Sequence, residues 1–512
     1  MEYINHPWLH ENKIQRRMYQ ENIAKTAARG NTLCVIPTGM GKTNIAALVV
    51  ADRLNKDMDK KILFMAPTKP LVEQHKRSFG KFLKIGESEL KVVTGSNDPD
   101  DRRELYKKSW IVFSTPQTIR NDLKVARLSL KDFSLVIFDE AHRAVGDYAY
   151  SYIAKVYMSQ AEDPLILGLT ASPGSHQYKI NEVRDTLFVE HVEVRSRDDD
   201  DVKPYIQKVD YDLENVELTD DQKKIKKYLE SIKEEKMGKL RKWGIIRKPF
   251  VTKTEMIRIQ QELARKKTGM GYAAMSRLAE IIKVDHALLL LETQCLYSLN
   301  EYMQNMKEQE TKAVERLMKN EKFIIAEKLV KQLIERGEEH PKLKKLNEIV
   351  SKELEEDKYA GIIIFAQFRD TITQIMHSLR DVKNAAPVEF IGQAKKRGKG
   401  LTQKEQIAIL NDFKAGFYNI LIASQVGEEG LDIEETNSVI FYEAVPSAIR
   451  RVQRTGRTAR TKPGKVFVLV AKDTRDEAYY WSGHHKERKM KNILNTMKKQ
   501  TELKEFTKRD KK

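Results

Sequence analysis

Eight consecutive residues, Ile36, Pro37, Thr38, Gly39, Met40, Gly41, Lys42 and Thr43, follow an apolar run with the residue types and spacing of a phosphate-binding loop. Glycines let the backbone curl so that several N–H groups face one phosphate chain. A lysine adds charge at the β/γ-phosphates, and the hydroxyl that follows it can ligate Mg²⁺. The first position of the general pattern is Gly and here is Ile36; the turn glycines Gly39 and Gly41 remain. A second apolar run, Leu135–Phe138, empties into Asp139-Glu140-Ala141-His142, 97 residues after Lys42. Two adjacent carboxylates at the carboxyl edge of a parallel sheet suit a magnesium–nucleotide site, one holding the metal and the other polarising water. Far downstream, Gln453-Arg454-Thr455-Gly456-Arg457-Thr458-Ala459-Arg460 gathers arginines with Arg450 and Arg451. Alone, such a cluster is a salt-bridged surface or a phosphate patch. Set opposite a phosphate loop, it supplies the cations that stabilise transition-state charge.

Elements must bring these groups together. Up to about residue 170, short apolar runs alternate with helix-like segments, the rhythm of βαβ units around a parallel sheet, with strands predicted at Thr32–Pro37, Lys61–Ala66, Trp110–Ser114, Leu135–Asp139 and Leu165–Thr170. Their continuous hydrophobicity fits strands covered on both faces. The acidic run Asp198–Asp201 before Pro204 reads as a linker. From Thr219 to about Pro341 the strand signal disappears, and Tyr272–Arg336 contains neither Gly nor Pro, which predicts at least two long packed helices turning near Asn320. The βαβ rhythm returns with strands predicted at Gly361–Ala366, Val388–Ile391, Asn419–Ala423, Ser438–Tyr442 and Lys465–Val470. The expected fold class is therefore α/β: two parallel-sheet domains, 1–200 and 346–482, with an all-helical domain, 201–345, inserted between them and a basic, partly mobile tail, 483–512.

Composition narrows the partners. Hydrophobic residues make up 40% of the chain, enough for sizeable cores, and two cysteines, Cys34 and Cys295, exclude a disulfide scaffold or a four-cysteine zinc module. The start MEYINHPWLHENK lacks a basic region followed by an apolar run, and no stretch approaches the roughly 18 apolar residues a membrane span needs. A cytoplasmic protein with no membrane contact is expected. The net charge of +18 sits in two segments: Lys223–Lys283 has 18 Lys/Arg against 6 Asp/Glu, and Lys486–Lys512 has 11 against 4. Solvated helical faces would account for that, and so would a polyanionic partner. In the first segment Lys239, Arg241, Lys242, Arg247 and Lys248 are the candidate phosphate contacts, with Trp243 either stacking on a base or packed in the insertion's core.

Several further motifs carry a family resemblance. Arg17-Met18-Tyr19-Gln20, Ala66-Pro67-Thr68-Lys69-Pro70-Leu71-Val72-Glu73-Gln74, Ser114-Thr115-Pro116-Gln117, Asp139-Glu140-Ala141-His142 and Leu169-Thr170-Ala171-Ser172-Pro173 resemble the first-domain motifs of superfamily 2 DEAH-box helicases. Ile364-Phe365-Ala366-Gln367-Phe368-Arg369, Val426-Gly427-Glu428-Glu429-Gly430-Leu431-Asp432 and the arginine motif resemble those of the second. Within that superfamily the long helical insertion and Phe441–Arg450 look like the archaeal Hef helicases, relatives of the Fanconi anaemia M protein. The resemblance implies two RecA-like domains with ATP and Mg²⁺ in the cleft and nucleic acid across the top. It implies that Gln20 reads adenine, that Lys42 and Thr43 hold phosphates and Mg²⁺, that Asp139 anchors the metal and that Glu140 is the general base. Arg457 and Arg460 would face the γ-phosphate with Gln453 supporting them, and Gly430 and Asp432 would join the nucleotide site. His142, Thr170 and Ser172 would couple nucleotide state to closure, and Lys69, Thr115, Gln367 and Arg369 would lie along the strand. Gln425 stands where a small hydroxyl residue is expected, and Ala459 where a glycine is.

The expected activity is that of an ATP-dependent helicase or translocase acting on branched DNA, forks and four-way junctions, in repair or fork restart. A nuclease or a sliding clamp is a candidate protein partner, and a monomer is expected. Two other readings compete: an ATPase directed by double-stranded RNA, and an ATP-gated DNA scaffold that recruits a nuclease. Related nucleases carry Glu-Arg-Lys followed by Asp; here Glu487-Arg488-Lys489 is followed by Ile493 in the Asp position, so nuclease activity is not predicted.

Overall fold

The computed structural model describes residues 2–171, 174, 177–205, 208–248, 251–266, 268–392, 400–424, 436–444 and 464–509. Two all-parallel sheets organise them. The first contains β1 (Thr32–Val35), β2 (Lys61–Met65), β3 (Leu90–Val93), β4 (Ile111–Ser114), β5 (Phe133–Asp139), β6 (Ile166–Thr170) and β7 (His191–Val194) in the order β3-β4-β2-β5-β6-β1-β7. The second contains β8 (Val209–Val216), β9 (Ile362–Phe365), β10 (Pro387–Phe390), β11 (Ile420–Ala423), β12 (Ser438–Phe441) and β13 (Gly464–Ala471) in the order β10-β11-β9-β12-β13-β8. Every residue of β1, β5, β6, β9, β11 and β12 is buried, so these strands are covered on both faces and do not alternate. In the first sheet β6 lies between β1 and β5. That order sets the phosphate loop after β1 and the acid pair after β5 on either side of the last residue of β6, Thr170.

The helical insertion contains Asp220–Lys242, Lys253–Lys266, Gly269–Thr293, Leu296–Lys307, Lys312–Met318 and Glu321–Glu335. Asn320 does begin a helix, accepting from the Phe323 N–H at 3.2 Å, as expected for a turn there. The stretch without Gly or Pro breaks at two more places, where Cys295 and Thr311 cap the next helices with their side chains. These helices bury Ile225, Leu229, Leu288, Leu291, Leu299, Met303 and Phe323 in one cluster, and Phe368, just past β9, packs against it.

Two segments sit differently from their expected places. Val209–Val216, expected in the all-helical insertion, pairs with β13 along its full length and forms an edge of the second sheet. The tail, expected to be partly mobile from residue 483, is in its described part a helix, Arg475–Arg509, that buries Met490, Leu494 and Met497 in the first domain's core. Where this helix starts, Asp476 forms a fully buried ion pair with Lys342, and its carboxylate also accepts from the Ala444 and Ala471 N–H groups, each at 3.1 Å.

Candidate nucleotide site and nucleic-acid interface

The phosphate loop is built on positive backbone angles: φ is 86° at Gly39 and 79° at Gly41, where an L side chain is strained. A Cβ at Gly41 would also run into Gln20 Nε2. Gly41 is the N-cap of the helix Lys42–Lys56 and gives it no side-chain cap, so the first N–H groups of that helix are left for an anion. The helix Met18–Ala27 holds the loop from behind. Tyr19 Oη donates to the Met40 carbonyl at 2.8 Å, and Gln20 Nε2 donates to the same oxygen at 3.0 Å. Gln20 Oε1 is buried with no hydrogen-bond partner among the described residues, an acceptor suited to an amino group such as the adenine N6.

Across Thr170, β5 delivers the acids. Asp139 is buried, its Oδ2 2.9 Å from His75 Nε2, while Tyr150 Oη donates to its carbonyl at 2.7 Å. Glu140 has φ 50°, a left-handed conformation in a non-glycine residue that turns its carboxylate out of the strand direction. Burial pushes that carboxyl up, but the Lys42 ammonium and His142 outweigh it and hold it down at about 2. Lys42 thus lies near enough to Glu140 to favour its ionised form. His142 Nδ1 lies 3.1 Å from Thr170 Oγ1 and 3.2 Å from Glu140 Oε2, tying the acid pair to β6. Ile36 N–H donates to the Thr170 carbonyl at 3.1 Å, tying the phosphate loop to the same residue.

These groups fit a magnesium nucleotide. Among the described residues no group of three or more His, Cys, Asp or Glu could hold a metal by itself. A small hard cation here would depend on phosphate oxygens with Thr43 and Asp139, the way Mg²⁺ usually binds beside phosphates. Ser172, Gly430, Asp432, Gln453, Arg457 and Arg460 lie outside the described residues, as does Gln425.

The expected strand contacts occupy the carboxyl ends of both sheets. Lys69, after β2, donates to Ser96 Oγ at 3.0 Å, and Ser96 in turn lies 2.8 Å from Thr94 Oγ1, after β3. Thr115, after β4, lies 2.9 Å from Thr118 Oγ1. Gln367 and Arg369 follow β9, and Arg369 Nη2 donates to the Gly392 carbonyl at 3.3 Å. In the insertion, Lys239 pairs with Glu235 at 2.8 Å, Arg241 with Glu234 at 3.5 Å and Lys248 with Glu255 at 2.9 Å. Lys242 and Arg247 are exposed. Trp243 packs against Met237, Leu240 and Ile246, the core position of its two readings.

Sequence reasoning passed over His75, Thr94 and Ser96. His75 directly follows Gln74 and shares the buried stripe Val72, His75, Phe79 of its helix, a core position by pattern; its ring packs tilted at 38° against Phe64, with centroids 4.4 Å apart. The signal was its place one helical turn after Val72 and one residue past a motif that already carried Lys69.

Comparison with known proteins gives a consistent set of relatives. Residues 12–180 match the DEAD/DEAH box helicase family, residues 341–462 the helicase conserved C-terminal domain, and residues 221–340 the family described as "Putative ATP-dependent RNA helicase, helical bundle". A Methanocaldococcus jannaschii protein named for the same RNA helicase activity is 42% identical over 97% of this chain and 63% of its own length. The Fanconi anemia group M protein homolog of Mus musculus is 31% identical over 94% of this chain and 26% of its own length. The chain therefore spans less than two thirds of either relative. The crystal structure of the Pyrococcus furiosus Hef helicase domain superposes with a TM-score of 0.73 at 41% identity, covering 93% of this chain and 99% of that one.

Proposed function

Because the chain belongs to the Hef and Fanconi anaemia group M family of DEAD/DEAH box helicases, we propose that it is an ATP-driven DNA motor that remodels branched DNA, such as forks and four-way junctions, in repair or fork restart. The observation that carries the reading is the meeting of the phosphate loop and the acid motif at Thr170, whose carbonyl accepts from the Ile36 N–H at 3.1 Å and whose hydroxyl lies 3.1 Å from His142 Nδ1. In this reading Gln20 accepts from adenine, and residues 36–43 cradle the phosphates through backbone N–H groups. Lys42 neutralises the β/γ-phosphates, and Thr43 and Asp139 hold Mg²⁺, which neutralises charge that develops on the phosphoryl oxygens. Glu140, its carboxyl held below the ordinary glutamate range, orients the attacking water and takes its proton. His142 and Thr170, with Ser172, report the state of the cleft to the rest of the first domain. Arg457 and Arg460, supported by Gln453, and Gly430 with Asp432 complete the site from the second domain.

Lys69, Thr115, Gln367 and Arg369 grip one strand's backbone. A grip on one strand does not distinguish a junction from a linear duplex, so the reading assigns a second DNA arm to Lys239, Arg241, Lys242, Arg247 and Lys248 of the insertion. The chain would work as an intracellular, nucleoid-associated monomer, with a nuclease or a sliding clamp as protein partner. An RNA-directed ATPase is the second reading, favoured by the RNA helicase names of the Methanocaldococcus jannaschii relative, of an Arabidopsis thaliana relative and of the helical-bundle family. ATPase rates titrated with fork DNA, linear duplex, single-stranded DNA and double-stranded RNA at one fixed salt concentration separate the two. The greatest stimulation by fork DNA supports the motor reading, and the greatest stimulation by double-stranded RNA overturns it.

A further inference from the structure

The helix Arg475–Arg509 touches all three parts of the molecule. It continues from β13 of the second sheet, and its first residue is pinned to the insertion: Arg475 Nη2 lies 2.8 Å from Asp285 Oδ1, and Nε lies 3.3 Å from Glu292 Oε2. Four turns on, Met490, Leu494 and Met497 enter the first domain's core in one cluster with Tyr157, Val192 and Val194. Docking through that face turns the opposite one outward. Trp481, His485, Arg488, Asn492 and Asn495 recur there at four- and three-residue steps, all exposed, with Lys489 beside them.

This outward seam has the composition of a nucleic-acid surface. From Ala478 to Met497 the helix carries Lys486, Arg488, Lys489 and Lys491 against one acid, Glu487. Trp481 is 46% exposed, a large apolar ring left in water. The rings of Tyr480 and His484 meet it at 78° and 89°, with centroids 5.2 and 6.1 Å away. Near-perpendicular contacts hold the indole in place while neither ring lies parallel to it, which suits a base stacking on its face. The seam residues named carry no aliphatic side chain, which argues against a lipid surface, and the cations face a polyanion better than a neutral protein.

We infer that this seam binds a single-stranded nucleic-acid segment running beside the motor, with a base stacked on Trp481 and the backbone along Arg488 and Lys489. The inference rests on the motor reading and adds a contact to it: a strand held here would lie along the element that links both motor domains and the insertion.

Binding of the full chain to a labelled single strand and to a blunt duplex of equal length, across a salt series without nucleotide, tests it. The proteins compared are the wild type, Trp481→Ala, Trp481→Phe and the triple variant Arg488→Ala, Lys489→Ala, Lys491→Ala. Loss of a stacked base weakens single-strand binding about tenfold in Trp481→Ala, and Trp481→Phe keeps most of the affinity. The triple variant flattens the single-strand salt slope by about 1.4 units, the contacts at Arg488 and Lys489 each removing roughly 0.7 when lost. ATPase activity without nucleic acid stays at the wild-type rate, and a strand carrying 5-iodouracil photo-cross-links to the peptide containing Trp481. If the wild type binds the strand and Trp481→Ala binds it within twofold at every salt concentration, the seam is not a stacking surface and the inference falls while the motor reading stands. If the wild type binds no nucleic acid, both fall.

Discussion

His75 Nε2 lies 2.9 Å from Asp139 Oδ2, and both side chains are buried. The carboxylate proposed to anchor the metal therefore arrives at the cleft with one oxygen already engaged, its rotation fixed by a ring that is itself packed against Phe64. A partner that orients a metal-binding carboxylate governs how well the cation is held.

Replacing that partner should show in the metal requirement before anything else. His75→Ala is expected to raise the Mg²⁺ concentration for half-maximal ATPase about tenfold, and His75→Gln, which keeps an N–H donor, to restore part of it. Magnesium titrations of the three proteins decide the matter. An unchanged requirement would leave His75 as a packing residue.

Glu140 gives a pH prediction with a definite sign. Its carboxyl in the folded chain is held at about 2, below the ordinary glutamate value of about 4.3, so the unfolded chain takes up this proton first as the pH falls. The stability due to its ionised form is complete above about pH 5 and is lost as the pH drops toward 2. Urea unfolding midpoints of wild type and Glu140→Gln should keep a constant difference from pH 7 to about 5, then shift against the wild type below about pH 4. A difference that stays constant to pH 3 would show that Lys42 does not hold this carboxylate.

The buried pair Lys342–Asp476 joins the start of the second domain to its last helix, and its two halves should be unequal. Lys342→Met leaves Asp476 with two backbone N–H donors, at Ala444 and Ala471. Asp476→Ala leaves the Lys342 ammonium with the Thr293 carbonyl at 3.4 Å and the Tyr442 ring at 5.6 Å. Losing one partner of a buried pair costs about 3–5 kcal/mol, and Asp476→Ala is expected at the upper end with Lys342→Met below it. Denaturant unfolding of both variants checks the order, and the double variant should cost less than the sum.

How much of this was legible follows from where the signal sits. Continuous apolar runs marked the strands buried on both faces, and the phosphate loop and acid pair stood out because their chemistry fixes residue types at fixed spacing. Val209–Val216 escaped because an edge strand that alternates Asp210, Asp212 and Glu214 with exposed Tyr211 and Leu213 lacks such a run. The breaks at Cys295 and Thr311 escaped because they are marked by side chains that cap the start of the next helix and not by Gly or Pro. His75 was hidden by its burial. The C-terminal helix looked like a charged tail because three residues, Met490, Leu494 and Met497, carry its docking and lie among lysines.

Ion pairing within the insertion ranks its cations. Lys239, Arg241 and Lys248 are engaged by Glu235, Glu234 and Glu255, whereas Lys242 and Arg247 are exposed with no ion-pair partner among the described residues. The double variant Lys242→Glu, Arg247→Glu should weaken fork binding more than Lys239→Glu, Lys248→Glu, and should flatten the fork salt slope by about two units. ATPase stimulated by single strands should survive in both. Fork affinities across a salt series provide the check, and equal fork binding by all three proteins would move branch selection off the insertion.

The central claim, that hydrolysis at the Lys42–Glu140 cleft drives movement on branched DNA, is tested most directly by following a synthetic replication fork with fluorescent arms in the presence of ATP. The wild type is expected to convert the fork to remodelled products. Lys42→Ala, having lost charge where the phosphates are most negative, should bind the fork within a few-fold of wild type but fall at least about 100-fold in ATPase and yield no product. A wild-type protein that hydrolyses ATP on the fork yet leaves its arms where they were would contradict the claim and leave an ATP-gated scaffold in its place.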